Sequence, residues 1–351
     1  MITAKIIGAG GYGGVGILEL LLSHPEVEVK TLISPGSTGQ NIASLHPHLE
    51  GFCNLDIIDA ESQEAQEPHD VVFMSTPDRV GMKLAKAELD KGAKVIDFSG
   101  DFRFNSVDSY AEYARRLDKN ITHETPSLLP QSVYGLPELH RNDLKNTNLA
   151  GNPGCFAVSC ILGLAPAAKE NIIDLNGVIC DCKTGVSGAG KTPNAPHHYP
   201  NRYENMNAYR LSGHQHVCEV ERELGLLANR DVTLTFTAQV VPICRGIMST
   251  LYGRVDPGVT EEKVLKIYKD FYANEPFVRV YDKNAPIGSH HVRCTNFCNL
   301  TVSVDERTGI LRVVSYIDNL MKGQAGSALQ NMNVLFGLDE TAGLDRPGMQ
   351  P

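Results

Sequence analysis

A glycine-rich segment near the start of the sequence has the spacing of a nucleotide-binding loop. Residues 8–13 read G-A-G-G-Y-G, follow an apolar run at 5–7 and precede an apolar segment at 15–22. In a strand–loop–helix context the first two glycines allow a tight turn and let the backbone approach a pyrophosphate, while the third lets the helix pack on the strand. The free N–H groups at the helix start then face the phosphates. The predicted dinucleotide contacts are Gly8, Gly10, Gly11, Tyr12, Gly13 and Gly14.

The residues after the second predicted strand indicate which dinucleotide is bound. That strand spans residues 27–33 and is followed by Ser34, Pro35, Gly36 and Ser37. A site that prefers NAD places a carboxylate here to hold the ribose 2′-hydroxyl, and this segment has none. Because Ser34 and Ser37 can donate hydrogen bonds to a 2′-phosphate, the segment favours NADP, although no arginine stands at the turn.

One of the nine cysteines has the surroundings of a nucleophile. Cys155 follows an Asn-Pro-Gly sequence and precedes an apolar run, 156–170, that predicts a helix. At a helix N-terminus the macrodipole and the unpaired N–H groups stabilise a thiolate, which attacks an acyl carbon. We therefore expect Cys155 to be reactive. Cys160, Cys180 and Cys244 lie inside apolar segments, so we expect them to be buried and inert.

Two histidines are the candidates for the base that a nucleophilic cysteine needs. His214 and His216 stand just before a helical, acidic run at 218–224. With no third ligand nearby, we interpret one imidazole as the acid–base group and the other as a structural or substrate-binding residue. Cys180 and Cys182 lack a second pair at zinc-finger spacing, so no metal site is predicted.

The elements that must position these residues alternate in the first half of the chain. Alternation of strands with helices predicts a parallel sheet covered on both faces, which is a Rossmann-type α/β domain. The strands are predicted at 5–7, 27–33, 70–74 and 94–98, and the helices at 15–22 and 82–91.

The pattern changes after Gly151. The helix predicted at 156–170 contains Pro166, which we expect to kink it or end it early. Long β-rich runs with few helices between them then predict a mixed or antiparallel sheet, and so an α+β domain. We assign residues 1–154 to a dinucleotide-binding domain, 155–324 to a catalytic domain, and 325–351 to a C-terminal helix and tail that packs back on the first domain.

The composition is that of an ordinary globular protein. The chain has 351 residues, 42% hydrophobic and 21% charged, which suits about two domains. Lys and Arg number 32 against 41 Asp and Glu, a formal charge of −9, so no nucleic-acid partner is expected. Nine scattered cysteines favour free thiols in a reducing cytoplasm over a disulfide scaffold. No signal peptide and no membrane span of ~18 residues is predicted.

Several motifs together resemble one known family. The chain is similar almost end to end to N-acetyl-γ-glutamyl-phosphate reductases, the arginine-biosynthesis branch of the aspartate-semialdehyde dehydrogenase superfamily. The V-Y-G-L-P-E-L block at 133–139 and the N-P-G-C block at 152–155 are specific in combination, because a generic Rossmann protein has neither. The other matching segments are residues 8–14, 101–103, 187–190, 213–216, 241–246 and 318–323.

The resemblance implies that an acyl phosphate is reduced by NADPH. Cys155 matches the family's nucleophile, so its thiolate is expected to form a thioester that a hydride converts to the semialdehyde. The block at 213–216 matches the family's catalytic histidine region. His216, which is nearer the helix start, is the favoured acid–base residue and His214 the alternative.

The resemblance also extends the predicted cofactor and substrate contacts. Lys322 and Gly323 match a segment at the nicotinamide end of the cofactor, and Ser187 and Gly188 complete the predicted cofactor set. A phosphate group needs a guanidinium fork or backbone N–H groups. The predicted phosphate and substrate contacts are Arg103, Asn152 and Arg245, with an interface ion pair as the other interpretation of Arg103 and the loop at 188–191 as a further anion site. Family members associate through the second domain, so a dimer or tetramer is expected.

The sequence departs from the family pattern at two places. Residues 156–158 read F-A-V where Tyr-Pro-Thr is common, which changes the acyl pocket. Residues 34–36 read S-P-G where Ser-Arg-Ser is common, which removes the usual partner of the 2′-phosphate. Two alternatives stay open: a related substrate, such as aspartyl phosphate or a carrier-linked aminoadipyl or glutamyl phosphate, and a non-catalytic, NADP-binding redox sensor.

Overall fold

A computed structural model describes residues 1–348 and divides the chain into two compact units. Unit 1 contains Met1–Pro153 together with Gln324–Asp345. Unit 2 contains Gly154–Gly323 and, of the described C-terminal residues, 346–348. The C-terminal segment predicted at 325–351 therefore contributes to both units, and its residues 349–351 lie outside the described part. Within residues 1–348 no helix is both long and apolar enough to cross a membrane.

Unit 1 is built on a seven-stranded, entirely parallel sheet in the order β3-β2-β1-β4-β5-β7-β6. The central strand β4 is buried along its whole length, as the short apolar run at 70–74 predicts. This confirms the Rossmann-type sheet. The strands are β1 (Ile2–Ile7), β2 (Val27–Ile33), β3 (Ile57–Ile58), β4 (Val71–Met74), β5 (Lys94–Asp97), β6 (Val133–Tyr134) and β7 (Leu149–Gly151).

Six helices belong to unit 1, and the last of them returns from the far end of the sequence. That helix contributes three buried amide side chains, which bond to earlier parts of the unit: Asn331 donates to the Asn152 side chain, Gln330 donates to Glu138, and Asn333 bonds to His24. The helices are α1 (Tyr12–Leu21), α2 (Ile42–Leu45), α3 (Gly81–Asp90), α4 (Val107–Arg115), α5 (Pro137–Leu144) and, after the helices of unit 2, α10 (Gly326–Phe336).

Unit 2 contains a mixed seven-stranded sheet in the order β12-β13-β14-β11-β8-β10-β9. The pairs β8–β10 and β12–β13 are parallel and the other pairs are antiparallel, which confirms the predicted α+β character. The strands are β8 (Val178–Thr184), β9 (Asn207–Tyr209), β10 (Leu234–Val240), β11 (Ile247–Arg254), β12 (Val278–Asp282), β13 (Cys298–Asp305) and β14 (Ile310–Ile317); the helices are α6 (Cys155–Lys169), α7 (Tyr199–Arg202), α8 (His216–Ala228) and α9 (Glu261–Phe271).

The helix that starts at Cys155 does not end early at its proline. Helix α6 continues through Pro166 to Lys169, so the expected early end is wrong. A proline removes the N–H that would bond to the carbonyl four residues before it, here that of Leu162. The Tyr272 hydroxyl donates to this carbonyl and so replaces the missing donor. The carbonyl of Gly163 receives a hydrogen bond from Tyr268 at 2.8 Å.

Candidate active site

The glycine loop between β1 and α1 forms a backbone cradle that only glycine fits. Gly8 has φ +93°, and a Cβ there would lie 2.1 Å from the Ser75 carbonyl oxygen. A Cβ on Gly13 would lie 2.5 Å from Ser75 Oγ, and one on Gly14 would lie 2.1 Å from the Gly8 oxygen. Gly11 precedes the helix without a capping side chain, so the first N–H groups of α1 are left for a ligand's phosphates.

Two buried polar atoms beside this cradle have no partner within the described residues. They are Gln324 Oε1 and Thr76 Oγ1. The amide of Gln324 packs against Gly13, since a Cβ there would lie 2.8 Å from Gln324 Nε2. A buried polar atom without a partner costs free energy, so both atoms fit a site that a polar cofactor completes. Sequence reasoning missed them, and the only signal for Gln324 was its place directly after the Lys-Gly pair.

The segment after β2 forms a tight turn at the edge of the same sheet. Ser37 N–H donates to the Ser34 carbonyl at 3.1 Å, with Pro35 second in the turn and Gly36 at φ +83°. Proline followed by glycine at positive φ is typical of a type II turn. Ser34 is buried and Ser37 is half-buried, whereas Tyr12 of the glycine loop is exposed.

Cys155 is the first residue of α6 and is half-buried. Gly154 precedes the helix in an extended conformation and supplies no side-chain cap. The backbone of Gly323 approaches closely, because a Cβ on Gly323 would lie 2.7 Å from the Cys155 Cβ. The thiol therefore stands at the start of a fifteen-residue helix, in the position that the sequence predicts.

A histidine and a glutamate from α8 lie against the residue before Cys155. His216 is the first residue of α8, and a Cβ on Gly154 would lie 2.3 Å from its Nε2 atom. The Gly154 N–H donates to Oε2 of the fully buried Glu219 at 3.0 Å. The other oxygen of Glu219 is 3.9 Å from His216 Nε2. Sequence reasoning did not single out Glu219, although its position three residues after His216 places both on one helix face.

His214 is buried behind His216. Their ring centroids are 4.7 Å apart, and His214 Nδ1 accepts a hydrogen bond from the His216 backbone N–H at 3.2 Å. Burial, together with the positive charges of His216 and Arg210, lowers the pKa of His214 to about 2. A histidine that stays neutral in this way is unsuited to exchange protons near neutral pH. The geometry therefore favours His216 over His214 as the acid–base residue.

Arg103 and Asn152 are buried and hold backbone groups. The Arg103 guanidinium donates to the carbonyls of Asn152 and Phe98, each at 2.8 Å. The Asn152 side chain donates to the Gln324 carbonyl at 3.0 Å and accepts from Asn331 at 3.1 Å. These contacts, all inside unit 1, fix the chain just before it passes to Cys155.

Arg245 forms a two-pronged ion pair with the fully buried Asp318. Arg245 Nε is 2.9 Å from Asp318 Oδ2 and Nη2 is 3.0 Å from Oδ1. About a quarter of the Arg245 side chain remains exposed, 24% against 0% for Asp318. The next residue, Asn319, accepts from the Gly246 N–H at 2.7 Å and donates to Ser187 Oγ at 2.9 Å.

The remaining predicted cofactor residues belong to unit 2, whereas the glycine loop belongs to unit 1. Ser187 is buried and Gly188 is exposed in a short turn after β8. Lys322 is fully buried, with its Nζ atom 5.7 Å from the centroid of the Phe277 ring. Among residues 1–348, no group of three or more His, Cys, Asp or Glu side chains is arranged to hold a metal ion.

Of the three cysteines predicted to be buried, two are buried in the structure. Cys160 and Cys180 are buried, and burial raises the pKa of the Cys160 thiol well above its usual value. The expectation is wrong for Cys244, which is exposed. Its apolar neighbours belong to the loop between β10 and β11, where the Cys244 carbonyl accepts from Ser187 N–H while the side chain faces solvent.

Comparison with known proteins identifies the family. Residues 3–147 match the semialdehyde dehydrogenase NAD-binding domain, and residues 155–319 match the semialdehyde dehydrogenase dimerisation domain. The chain is 41% identical over 346 residues to the N-acetyl-gamma-glutamyl-phosphate reductase of Citrifermentans bemidjiense, covering 98% of each chain. It is 42% identical to that of Symbiobacterium thermophilum over 349 residues, covering 99% of this chain and 98% of the other. The chain belongs to the N-acetyl-gamma-glutamyl-phosphate reductase family.

Membership of this family confirms the predicted resemblance and the enzyme class, an oxidoreductase of the semialdehyde dehydrogenase type with an NAD(P)-binding domain. Solved structures share the fold at low identity. Aspartate semialdehyde dehydrogenase II of Vibrio cholerae, complexed with ASA, matches with a TM-score of 0.72 and 16% identity over 96% of this chain and 98% of that one. The enzyme of Candida albicans with NADP matches with a TM-score of 0.66 and 15% identity, covering 96% and 98%.

Proposed function

We propose that this protein reduces N-acetyl-γ-glutamyl phosphate to N-acetylglutamate semialdehyde and phosphate with NADPH, a step of arginine biosynthesis. The observation that carries the proposal is the arrangement at the start of α6, where His216 and Glu219 lie against Gly154 beside the Cys155 thiol. Close relatives named for this reaction support the choice of substrate.

The chemistry begins with activation of the thiol. The uncapped N-terminus of α6 stabilises negative charge on Cys155 Sγ. His216 takes the thiol proton, and the carboxylate of Glu219 stabilises the resulting imidazolium. Glu219 also accepts from the Gly154 N–H, so one side chain positions both the base and the residue before the nucleophile.

The thiolate then replaces phosphate on the acyl carbon. A bond forms between Cys155 Sγ and that carbon, and the phosphate leaves with the electron pair of the broken C–O bond. NADPH, held at the glycine cradle, would supply the hydride that reduces the thioester carbon. His216 donates its proton to the oxygen as it becomes negative and takes it back when the carbonyl re-forms. Cys155 Sγ then leaves with the C–S electron pair, and the aldehyde is released.

Arg245 is our candidate for the group that holds the phosphate. Its ion pair with Asp318 fixes the guanidinium, while part of the side chain stays exposed for a ligand. Arg103 and Asn152, predicted as substrate contacts, donate to buried backbone groups in this structure. We therefore assign them a positioning role ahead of a phosphate-binding one.

The glycine loop and the turn after β2 both have features that fit NADPH. The glycine cradle and the free N–H groups of α1 suit a pyrophosphate. Ser34 and Ser37 are the donors at the turn after β2, which carries no carboxylate to repel a 2′-phosphate. We infer from this turn that NADP is preferred to NAD.

We also propose that a second copy of the chain covers the outer face of the unit 2 sheet. On this face, which is opposite to α6, Met248, Tyr252, Val314 and Tyr316 are half-buried and Ile179 is exposed. The same face carries Thr250 and the Lys183–Asp181 ion pair, so it mixes apolar and polar side chains as subunit contacts do, and the match to a dimerisation domain spans these strands. Because the proposed nucleophile must stay reduced, we place the enzyme in the cytoplasm.

The reaction run in reverse tests this function. Purified protein is given N-acetylglutamate semialdehyde, phosphate and NADP, with aspartate semialdehyde and NAD as the controls, and reduced nicotinamide is followed by absorbance. We expect turnover with the first aldehyde and NADP, and in the Cys155→Ser variant a rate reduced by a factor on the order of 10³ or more with unchanged NADPH affinity. Faster oxidation of aspartate semialdehyde would overturn the substrate, and substantial activity of the variant would overturn the nucleophile.

A further inference from the structure

The register of the unit 2 sheet directs one tyrosine toward the start of α6. Tyr209 in β9 pairs with Ala238 of β10, and Ala238 pairs with Cys182 of β8. Side chains of directly paired residues lie on the same face of a sheet. Cys182 Sγ is 3.5 Å from the Sγ atom of Cys160 in α6, so this face is the one that α6 covers.

The Tyr209 ring is packed against the histidine pair. Its centroid is 5.6 Å from that of His214, in an edge-to-face arrangement at 68°. The ring centroid of His214 is in turn 4.7 Å from that of His216, and His216 contacts Gly154. Tyr209 is therefore part of the aromatic layer around the thiol–imidazole pair, although it is distant from Cys155 in the sequence.

The Tyr209 hydroxyl makes no hydrogen bond to any described residue, whereas two buried tyrosines of this unit, Tyr268 and Tyr272, each donate to a carbonyl. The Tyr209 side chain is half-buried, so it is packed on one side and accessible on the other. Burial and the nearby charge of Cys155 raise the pKa of Tyr209, with Arg210 acting in the opposite direction. The phenol thus stays protonated and is an O–H donor without an acceptor.

We propose that the Tyr209 hydroxyl donates a hydrogen bond to the carbonyl oxygen of the acyl group on Cys155. This role rests on the proposed function, which creates a negative oxygen at that position in both half-reactions. The O–H bond of Tyr209 is not broken: the hydroxyl stabilises the oxyanion, and the proton transfers stay with His216. A donor already held in place is effective because it need not reorganise as the charge develops.

The variant Tyr209→Phe tests the proposal, because it removes the hydroxyl and keeps the ring that packs on His214. We expect kcat to fall by roughly 10² while KM changes by less than about threefold, as for loss of one oxyanion donor. The rate at which iodoacetamide alkylates Cys155 should stay within about twofold of wild type, since the thiol and His216 are untouched. The matched control is Tyr203→Phe, an exposed tyrosine of the same segment (58% exposed), which should behave as wild type.

Three results would overturn the role of Tyr209. They are wild-type kcat in Tyr209→Phe, a rise in KM alone, and a fall in the alkylation rate that parallels the fall in kcat. The last result would mean that Tyr209 acts through the Cys–His pair. Failure of the proposed function is distinguishable, because wild-type protein would then oxidise aspartate semialdehyde faster than N-acetylglutamate semialdehyde, or oxidise neither aldehyde.

Discussion

Gly154 contacts both Glu219 and His216, and a residue with a side chain could not make both contacts. Its N–H donates to Glu219, and its Cα lies so close to His216 that a Cβ would come within 2.3 Å of Nε2. The absence of a side chain at the residue before the nucleophile is what lets the imidazole approach. A glycine at this position therefore serves the geometry of the reaction as well as the start of the helix.

The buried imidazole of His214 predicts how the stability of the protein depends on pH. Because burial lowers its pKa to about 2, the unfolded chain binds a proton below pH 6.5 that the folded chain does not. The contribution of His214 to stability is complete above pH 6.5 and falls as the pH falls. At pH 5.5 the loss from this site should be on the order of 1 kcal/mol.

Urea unfolding at pH 7.5 and pH 5.5 measures this loss. The variant His214→Asn keeps an acceptor near the His216 N–H but has no titrating ring, so its free energy of unfolding should fall less between the two pH values. His48→Asn, at an exposed histidine (side chain 56% exposed), should retain the wild-type difference. Equal differences in wild type and His214→Asn would show that His214 does not titrate as inferred.

Short-range context was enough to predict Cys155 and the histidine pair, because a helix start and a neighbouring acidic run are visible in the sequence. It did not separate His216 from His214, since the burial that lowers the pKa of His214 involves residues such as Phe236, which is distant in sequence. The carbonyl partners of Arg103 and the exposure of Cys244 likewise depend on tertiary contacts. The roles of these side chains stay predictions until variants are measured.

Helix α6 shows how an element can keep a proline in its interior. Pro166 leaves the carbonyl of Leu162 without a helical N–H donor, and this carbonyl accepts a hydrogen bond from the Tyr272 hydroxyl instead. Replacing Tyr272 with Phe leaves a buried carbonyl without a partner, which should lower the free energy of unfolding by about 1–3 kcal/mol in urea denaturation.

The matched control for this prediction is Tyr268→Phe. Its partner, Gly163, lies where the regular helical pattern supplies the N–H of Ala167 as a second donor. We therefore expect the smaller destabilisation from Tyr268→Phe. A larger effect there than in Tyr272→Phe would contradict our account of why the helix continues.

The long, apolar elements follow from periodicity, whereas several short elements and the effect of one proline do not. The four strands predicted in the first half of the chain correspond to β1, β2, β4 and β5, whereas the two- and three-residue strands β3, β6 and β7 are too short to show a pattern and are not predicted from the sequence. The sequence predicts a kink or an early end at Pro166 because it does not show the Tyr272 hydroxyl, which comes from a residue more than a hundred positions later. No local pattern contains that information.

At the scale of the whole molecule, the outer face of the unit 2 sheet predicts the state of assembly. Placing a carboxylate at the centre of this face, as in Val314→Glu, should bury an unpaired charge in the proposed subunit contact and so disfavour association. Sedimentation should then give a lower mass than for wild type.

The control is Phe52→Glu, which changes an exposed aromatic residue of unit 1 (76% exposed) and should leave the mass unchanged. Wild-type mass in Val314→Glu at all protein concentrations would argue against this face as the contact.

The discontinuity of unit 1 has a consequence for the order in which the protein is made. A ribosome releases residues 1–153 long before α10, yet α10 carries the amide groups that bond to Asn152, Glu138 and His24. Domains generally fold as units during synthesis. Here unit 1 is complete only after α10 has been synthesised. Unit 1, which contains the glycine loop, therefore cannot finish folding until the whole of unit 2 has been synthesised. A chain that is interrupted before α10 lacks part of the unit that binds the cofactor.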